Sequence, residues 1–243
     1  MILFKAAWEV VELAFIVASL YFAVRLYALR RQPTWREPFD RRRVAILWLL
    51  ALAAIAIKVT EDVVAGESGP IDERLMIFLH SHVSPALTSC FEAVTFSASG
   101  SVLTTMTIAA TIVLVIAKRP TEAMLLAGSV MGAALVVYAI KMIVGRDRPA
   151  LWDTQWYWGS SFPSGHTLVA TAFAAASALM LGGMWPAARK PALVVAAVWI
   201  VLVALSRLVL GVHWPTDVLA AACIGAAIPL GLRFVFELRE AQR

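Results

Sequence analysis

Three short polar clusters interrupt a chain that is otherwise strongly apolar. The first, residues 141–149 (KMIVGRDRP), ends one apolar stretch, and the second, residues 162–167 (FPSGHT), opens the next one. The third, residues 206–217 (SRLVLGVHWPTD), lies between the last two apolar stretches. Ionisable residues are rare in long apolar segments and are usually functional there. We therefore take these three clusters as the candidate functional residues.

The side chains of the clusters suit the transfer of a phosphoryl group. Lys141, Arg148 and Arg207 supply fixed positive donors for phosphate oxygens. Ser164 and Gly165 stand where a helix begins, and the free N–H groups of a helix start bind anions. The three cations and this helix start together predict a phosphate site.

The two histidines of the clusters supply a nucleophile and a proton donor. His213 and Asp217 are four residues apart, so the carboxylate can reach an imidazole nitrogen, fix its tautomer and stabilise a developing positive charge. His166 is the second histidine, and imidazole is the commonest general acid and base.

Each cluster alone also has an ordinary structural explanation. Lys141 and Arg148 are explained as interfacial anchors with extended side chains, and residues 162–167 as a simple helix entry. Asp217 is explained as an acidic residue that complements a helix dipole. If these ordinary explanations were correct, three unrelated coincidences would have to occur at one face of the protein. The combined pattern therefore favours phosphoryl chemistry.

The composition identifies the elements that position these residues as membrane-spanning helices. Hydrophobic residues make up 61% of the 243, against ~45–50% in an average soluble domain, and the mean hydropathy is +0.80. The pattern predicts an all-α, polytopic transmembrane helical bundle of seven spans. We expect residues 71–97 to begin as an interfacial amphipathic helix. The predicted spans are 8–29, 44–64, 85–117, 121–144, 166–185, 191–210 and 215–236.

A cleaved signal peptide is the alternative for the first span. Signal peptides carry their positive charge before the apolar core, whereas the dense basic cluster here follows it, so we favour a retained span. We therefore divide the chain into an N-terminal transmembrane helix with a basic cytoplasmic loop, residues 1–43, and a membrane domain, residues 44–243.

The net charge of +5 is the difference between two unlike surfaces. One set of ends and loops, residues 25–43, 118–122, 184–191 and 233–243, holds 14 of the 21 basic residues and 5 of the 16 acidic ones, a balance of +9. The other surface carries −4 and includes the three clusters. The positive-inside rule predicts a cytoplasmic C-terminus, an external N-terminus and a site at the outer face of the cell (inner) membrane. The basic excess therefore indicates topology and not nucleic-acid binding.

The three clusters, in this order, resemble the signature of the type 2 phosphatidic acid phosphatase superfamily. Its pattern is K-x6-R-P, then P-S-G-H, then S-R-x5-H-x3-D, and residues 141–149, 163–166 and 206–217 match every signature position. The resemblance covers about residues 71–236. The usual membrane members have six spans, so the resemblance implies a six-span phosphatase core within the membrane phosphatase domain, residues 44–243. The additional N-terminal span is a departure from that pattern.

The resemblance implies a role for each residue. His213 is the expected nucleophile that forms a phosphohistidine, Asp217 orients it, and His166 serves as general acid and then as base. The phosphate-binding residues that it implies are Lys141, Arg148, Ser164, Gly165 and Arg207. The implied activity is metal-independent hydrolysis of a phosphomonoester or pyrophosphate, with no cofactor.

The implied partners are membrane lipids and a lipid phosphate substrate. Candidate substrates are undecaprenyl pyrophosphate, phosphatidylglycerol phosphate, phosphatidate and a lipid A phosphate, and the sequence does not choose among them. A lipid phosphotransferase with the same phosphohistidine is the alternative enzyme. A transporter is the alternative from another class, although transporter sites tend to lie near the bilayer midplane. The oligomeric state stays open.

Other polar and aromatic residues near the clusters carry weaker expectations. Arg146 and Asp147 are not signature positions, and we expect them to pair or to line the mouth of the site. Lys58 is expected to neutralise its acidic neighbours in the same helix. Glu92 is left open between the site and a neighbouring helix. The aromatic residues of loop 150–162 are expected to form an interfacial belt, and the alternative is that they line the entrance for a lipid. These residues are Trp152, Trp156, Tyr157 and Trp158.

Overall fold

The protein is an all-helical bundle. The structure, a computed structural model, describes residues 2–31, 33–152, 154 and 159–242. These residues form α-helices and short 3-10 turns, with no strand among them, which confirms the predicted fold class. The helices are α1 Ile2–Arg31, α2 Arg36–Arg41, α3 Arg43–Val64, α4 Gly69–His82, α5 Thr88–Ser97, α6 Gly100–Ile116, α7 Pro120–Val144, α8 Gly165–Met184, α9 Arg189–Val209 and α10 Pro215–Glu240.

Seven segments of the described chain are long and apolar enough to cross a membrane. All seven coincide with predicted spans, with ends that differ by a few residues. The third span, predicted as 85–117, is formed by two helices, α5 and α6. Ser99 separates them because its hydroxyl accepts the backbone N–H of Val102 and caps α6.

The amphipathic helix predicted over residues 71–97 is shorter than expected. It is α4, which ends at His82, and it is separate from α5. Val83 has extended backbone angles, and the 3-10 turn Pro85–Leu87 follows it. Proline lacks a backbone N–H, so a continuous helix across this point would lose a hydrogen bond. Hydropathy does not detect this break.

Helix α8 lies at the centre of the bundle and packs against α7, α9 and α10. Its sequence carries small side chains, and small residues let helices approach closely. The closest approach is at Gly225 of α10, where an added Cβ would lie 2.5 Å from the carbonyl oxygen of Leu168. The fully or nearly fully buried alanines of α8 are Ala170, Ala172, Ala174, Ala176 and Ala178.

The loop between α1 and α3 is attached to the C-terminal part of α10. Phe39 packs edge-on against Phe234, with ring centroids 5.1 Å apart. The guanidinium of Arg42 donates to both carboxylate oxygens of Glu237, at 2.6 and 2.7 Å. This is the end of the bundle with the basic loops, and α8 and α10 begin at the opposite end.

Candidate active site

The three polar clusters meet at the end of the bundle where α7 and α9 terminate and where α8 and α10 begin. The chain leaves α7 at Gly145, whose φ of +61° is the left-handed conformation that glycine adopts without strain. A second left-handed glycine, Gly211 (φ +69°), turns the chain from α9 towards α10. The loops that carry Arg148 and His213 therefore return across the same end of the bundle.

His213 lies buried in the turn between α9 and α10, and its two ring nitrogens have different neighbours. Nδ1 is 3.4 Å from Oδ2 of Asp217, as the four-residue spacing predicts. Nε2 is 3.4 Å from Nη1 of Arg148. Asp217 also accepts a hydrogen bond from the backbone N–H of Trp214 at 2.9 Å. The same carboxylate therefore caps the start of α10 and contacts the imidazole.

The buried position of His213 determines its charge. Burial is the largest cause that lowers the pKa of His213 to about 4; the positive charges of Arg207 and Arg148 act in the same direction, and Asp217 opposes them. The ring is therefore neutral at pH 7, and a neutral imidazole has a lone pair available for nucleophilic attack.

The three predicted cations are each fixed by a contact with a neighbouring segment. Lys141 donates to the carbonyl oxygen of Ser160. Arg148 donates to the carbonyl oxygen of Val212 at 2.8 Å. Arg207, only 1% exposed, donates to the hydroxyl of Thr95.

The charges of these three cations converge on the second histidine. Lys141, Arg148 and Arg207 all act electrostatically on the ring of His166, as does His213. The structure therefore brings the predicted cations and both histidines into one site.

Ser164 holds the start of α8 against the start of α10. Its backbone N–H donates to the carbonyl oxygen of Asp217 at 3.2 Å. Its hydroxyl lies 3.0 Å from the hydroxyl of Thr167 and does not cap the helix backbone. This pairing fixes Ser164, Gly165 and His166 beside His213 and Asp217.

A cavity of about 1110 Å³ borders His166 and opens between α4, α5 and the turn after α9. Trp152 lines it and stacks on His80, with ring centroids 4.0 Å apart. Glu92, which sequence reasoning left open, is exposed and lines this cavity too. The other aromatic residues proposed as the wall of a lipid entrance, Trp156, Tyr157 and Trp158, lie outside the described residues.

Arg146 takes part in the site in a way that the sequence did not reveal. It pairs with Asp217 at 2.6 Å and with Asp72 at 2.7 Å. Asp72 is in α4 and is 74 residues away from Arg146 in sequence. Nothing in the sequence distinguishes it from the other acidic residues that follow the second span. Asp147 contributes its carbonyl oxygen, which accepts the indole N–H of Trp214 at 2.9 Å.

The predicted pairing within α3 is present, with Nζ of Lys58 2.7 Å from Oδ1 of Asp62.

A family model and several curated proteins match the part of the chain that carries the site. The PAP2 superfamily model matches residues 122–239. Phosphatidylglycerophosphatase B of Escherichia coli K12 is 41% identical over 70 residues, which are 29% of this chain and 26% of that protein. Decaprenylphosphoryl-5-phosphoribose phosphatase of Mycolicibacterium smegmatis is 40% identical over 106 residues, 42% of this chain and 53% of that protein. In these matches the chain spans about a quarter and about half of the length of the two relatives.

Two solved structures share the fold. The transmembrane PAP2 type phosphatidylglycerolphosphate phosphatase from Bacillus subtilis superposes with a TM-score of 0.72 and 22% identity, over 78% of this chain and 96% of that chain. LpxE of Aquifex aeolicus superposes with a TM-score of 0.56 and 23% identity, over 67% of this chain and 94% of that chain. The protein is therefore a multi-pass membrane protein whose residues 122–239 match the model of the PAP2 superfamily.

Proposed function

We propose that the protein hydrolyses the phosphate or pyrophosphate group of a membrane lipid through a phosphohistidine on His213. The observation that carries this proposal is the setting of His213. The ring is neutral and buried, and its Nδ1 faces a carboxylate while its Nε2 faces a guanidinium. The relatives support the substrate class, because their names are those of phosphatases of phosphorylated lipids.

In the first step, Nε2 of His213 attacks phosphorus. The P–N bond forms as the bond to the leaving oxygen breaks, and His166 gives that oxygen a proton. Asp217 holds the Nδ1 side of the ring and stabilises the positive charge that develops on it. Nε2 is the attacking atom because Nδ1 is turned towards Asp217.

In the second step, His166 removes a proton from water and the water oxygen attacks phosphorus. The P–N bond breaks, inorganic phosphate leaves, and the His213 ring is restored. Throughout both steps the phosphate oxygens are bound by Lys141, Arg148, Arg207, Ser164 and the backbone N–H of Gly165. We propose that no metal ion is needed, since three cations can stabilise the charge of the transition state.

The large cavity beside His166 supports a lipid headgroup as the substrate. Its volume of about 1110 Å³ exceeds the space that a phosphate alone requires. It lies between α4 and α5, and α5 belongs to one of the seven segments that are long and apolar enough to cross a membrane. We propose that the phosphatase domain comprises residues 44–243, that residues 1–43 add a span beside it, and that the site lies at the outer, periplasmic face with the C-terminus in the cytoplasm.

Phosphate release from lipid substrates tests this function. The detergent-solubilised full chain is given phosphatidylglycerol phosphate, phosphatidate, undecaprenyl pyrophosphate or a lipid A phosphate, each as sole substrate, with and without a chelator. We expect release of phosphate that the chelator does not affect. Loss of activity with the chelator contradicts the metal-independent mechanism, and release only after an acceptor lipid is added indicates a phosphotransferase.

Variants assign the roles in the same assay. His213→Ala is expected to lower phosphate release about a thousand-fold or more and to abolish phosphoenzyme labelling. Arg207→Gln is expected to reduce activity, whereas Arg25→Gln, a matched change at an exposed ion pair with Asp40, is not. Full activity of His213→Ala refutes the nucleophile assignment.

A further inference from the structure

Arg146 lies between two fully buried carboxylates of different helices. Its Nη1 is 2.6 Å from Oδ1 of Asp217, and its Nη2 is 2.7 Å from Oδ2 of Asp72. Both carboxylates are 0% exposed. A buried charge is costly unless it is paired, so the three charges stabilise each other as a group.

The same group joins the first turn of α4 to the first turn of α10. Oδ1 of Asp72 accepts the backbone N–H of Thr216 at 3.0 Å, and Oδ2 accepts its hydroxyl at 2.6 Å. Arg146 donates to the Thr216 hydroxyl at 2.8 Å and to the Ser68 hydroxyl at 3.1 Å. The carboxylate of Asp217 is therefore held on its Oδ1 side, which leaves Oδ2 towards His213.

The charges of the group have a consequence for the imidazole. Asp217 and Arg146 together carry no net charge, and Asp72 makes the group of three net negative. A net negative group beside His213 stabilises the positive charge that the ring acquires when it is phosphorylated. Without Asp72, Arg146 would largely cancel the effect of Asp217 on the ring.

We propose that Asp72 and Arg146 are positioning residues of the phosphoryl-transfer site. Arg146 fixes the orientation of Asp217 towards Nδ1 of His213, and Asp72 supplies the net negative charge. This proposal rests on the phosphohistidine function proposed above. It assigns a role to the outer amphipathic helix α4, which the three signature motifs do not include.

The test compares Asp72→Asn with Glu73→Gln. Glu73 is the next residue of α4 and is exposed, so its substitution makes the same change in charge on the same helix. We expect Asp72→Asn to lower kcat roughly ten-fold or more, with KM within about two-fold of wild type. Glu73→Gln is expected to keep both constants. Equal kcat values for the two variants overturn the proposal.

A second measurement does not depend on turnover. The ring N–H proton resonance of His213 in the detergent-solubilised protein reports the contact of its Nδ1 with Asp217. We expect this resonance to move in Asp72→Asn and to stay in Glu73→Gln, and an unmoved resonance in both overturns the proposal. If the wild type hydrolyses no lipid phosphate, the proposed function fails, while the resonance still decides the positioning role.

A milder variant covers the case in which Asp72→Asn does not fold. Thr216→Val keeps the side-chain shape and all three charges but removes the hydroxyl that bonds Asp72 and Arg146. We expect the same direction of change in kcat and in the His213 resonance, with a smaller size. Wild-type values of both quantities in a folded Thr216→Val protein count against the proposal.

Discussion

The neutral imidazole of His213 links the burial of one side chain to the chemistry proposed for it. A histidine that attacks phosphorus must not carry a proton on the attacking nitrogen. Burial among cations lowers the pKa of His213 to about 4, below the ordinary value of about 6.5. The ring is therefore ready to react at neutral pH without a separate deprotonation step.

This pKa leads to a prediction at the residue scale. The His213 ring should stay neutral as the pH falls from 7 and take up a proton only near pH 4. Ring nitrogen chemical shifts measured against pH, with His213→Asn for assignment, check this. A titration midpoint between pH 6 and 7 contradicts it.

The same shift affects stability. Between the ordinary pKa of about 6.5 and about 4 the unfolded chain binds a proton at His213 that the folded chain does not. The contribution of this residue to folding is therefore complete above the upper pKa and decreases as the pH falls through this window.

The residues of the site differ in how far the sequence could predict them. His213 and Asp217 are four residues apart, so a local pattern indicates their contact, and the structure has it. The pairing of Arg146 with Asp72 joins the loop after α7 to α4, and only the tertiary packing of these segments determines it. No spacing rule in a single sequence predicts such a contact.

At the scale of elements, the approach of α10 to α8 sets the position of the site, because both helices begin there. The approach depends on Gly225, where an added Cβ would lie 2.5 Å from the Leu168 carbonyl oxygen and 2.8 Å from Cβ of Thr171. These are backbone and branched side-chain atoms, which cannot move aside without shifting a helix.

We predict that Gly225→Ala destabilises the protein by about 1–3 kcal/mol and lowers its activity. The matched control is Gly231→Ala on the same helix, where the nearest atom would be 3.9 Å away, an ordinary contact. Both substitutions raise helix propensity equally, so the difference between them isolates packing. Thermal unfolding in detergent measures it, and equal melting temperatures for the two variants refute this prediction.

Hydropathy predicted the existence of the spans more accurately than the residues at which helices end or are interrupted. The spans that coincide with single helices are long apolar stretches between charged loops, and this pattern is local. The break between α5 and α6 depends on the hydroxyl of Ser99 as a helix cap. The early end of α4 depends on the backbone at Val83 and on the turn that follows. A window of averaged hydropathy contains neither feature.

At the scale of the whole molecule, charge is separated between the two ends of the bundle. The basic loops gather where Arg42 joins Glu237, and the proposed active site lies at the other end. The sequence predicts this separation directly, because loops alternate between the two ends along the chain.

This separation predicts which residues face the outside. In a background with Cys90→Ser and Cys223→Ala, we expect Glu67→Cys to react with a membrane-impermeant maleimide in intact cells. We expect Lys190→Cys to react only after the membrane is opened. Both positions are exposed in the structure. The reverse labelling pattern contradicts the proposed orientation.

The anchoring of α4 by Arg146 bears on how the specificity of such a protein can be re-engineered. Helices α4 and α5 form much of the cavity wall, so exchanging them for those of a relative is the obvious way to change headgroup preference. The transplanted segment would also carry the residue at position 72, which holds Arg146. Under the proposed positioning role, a chimera that preserves a carboxylate there is expected to keep Asp217 aligned with His213, and one that does not is expected to change both selectivity and rate.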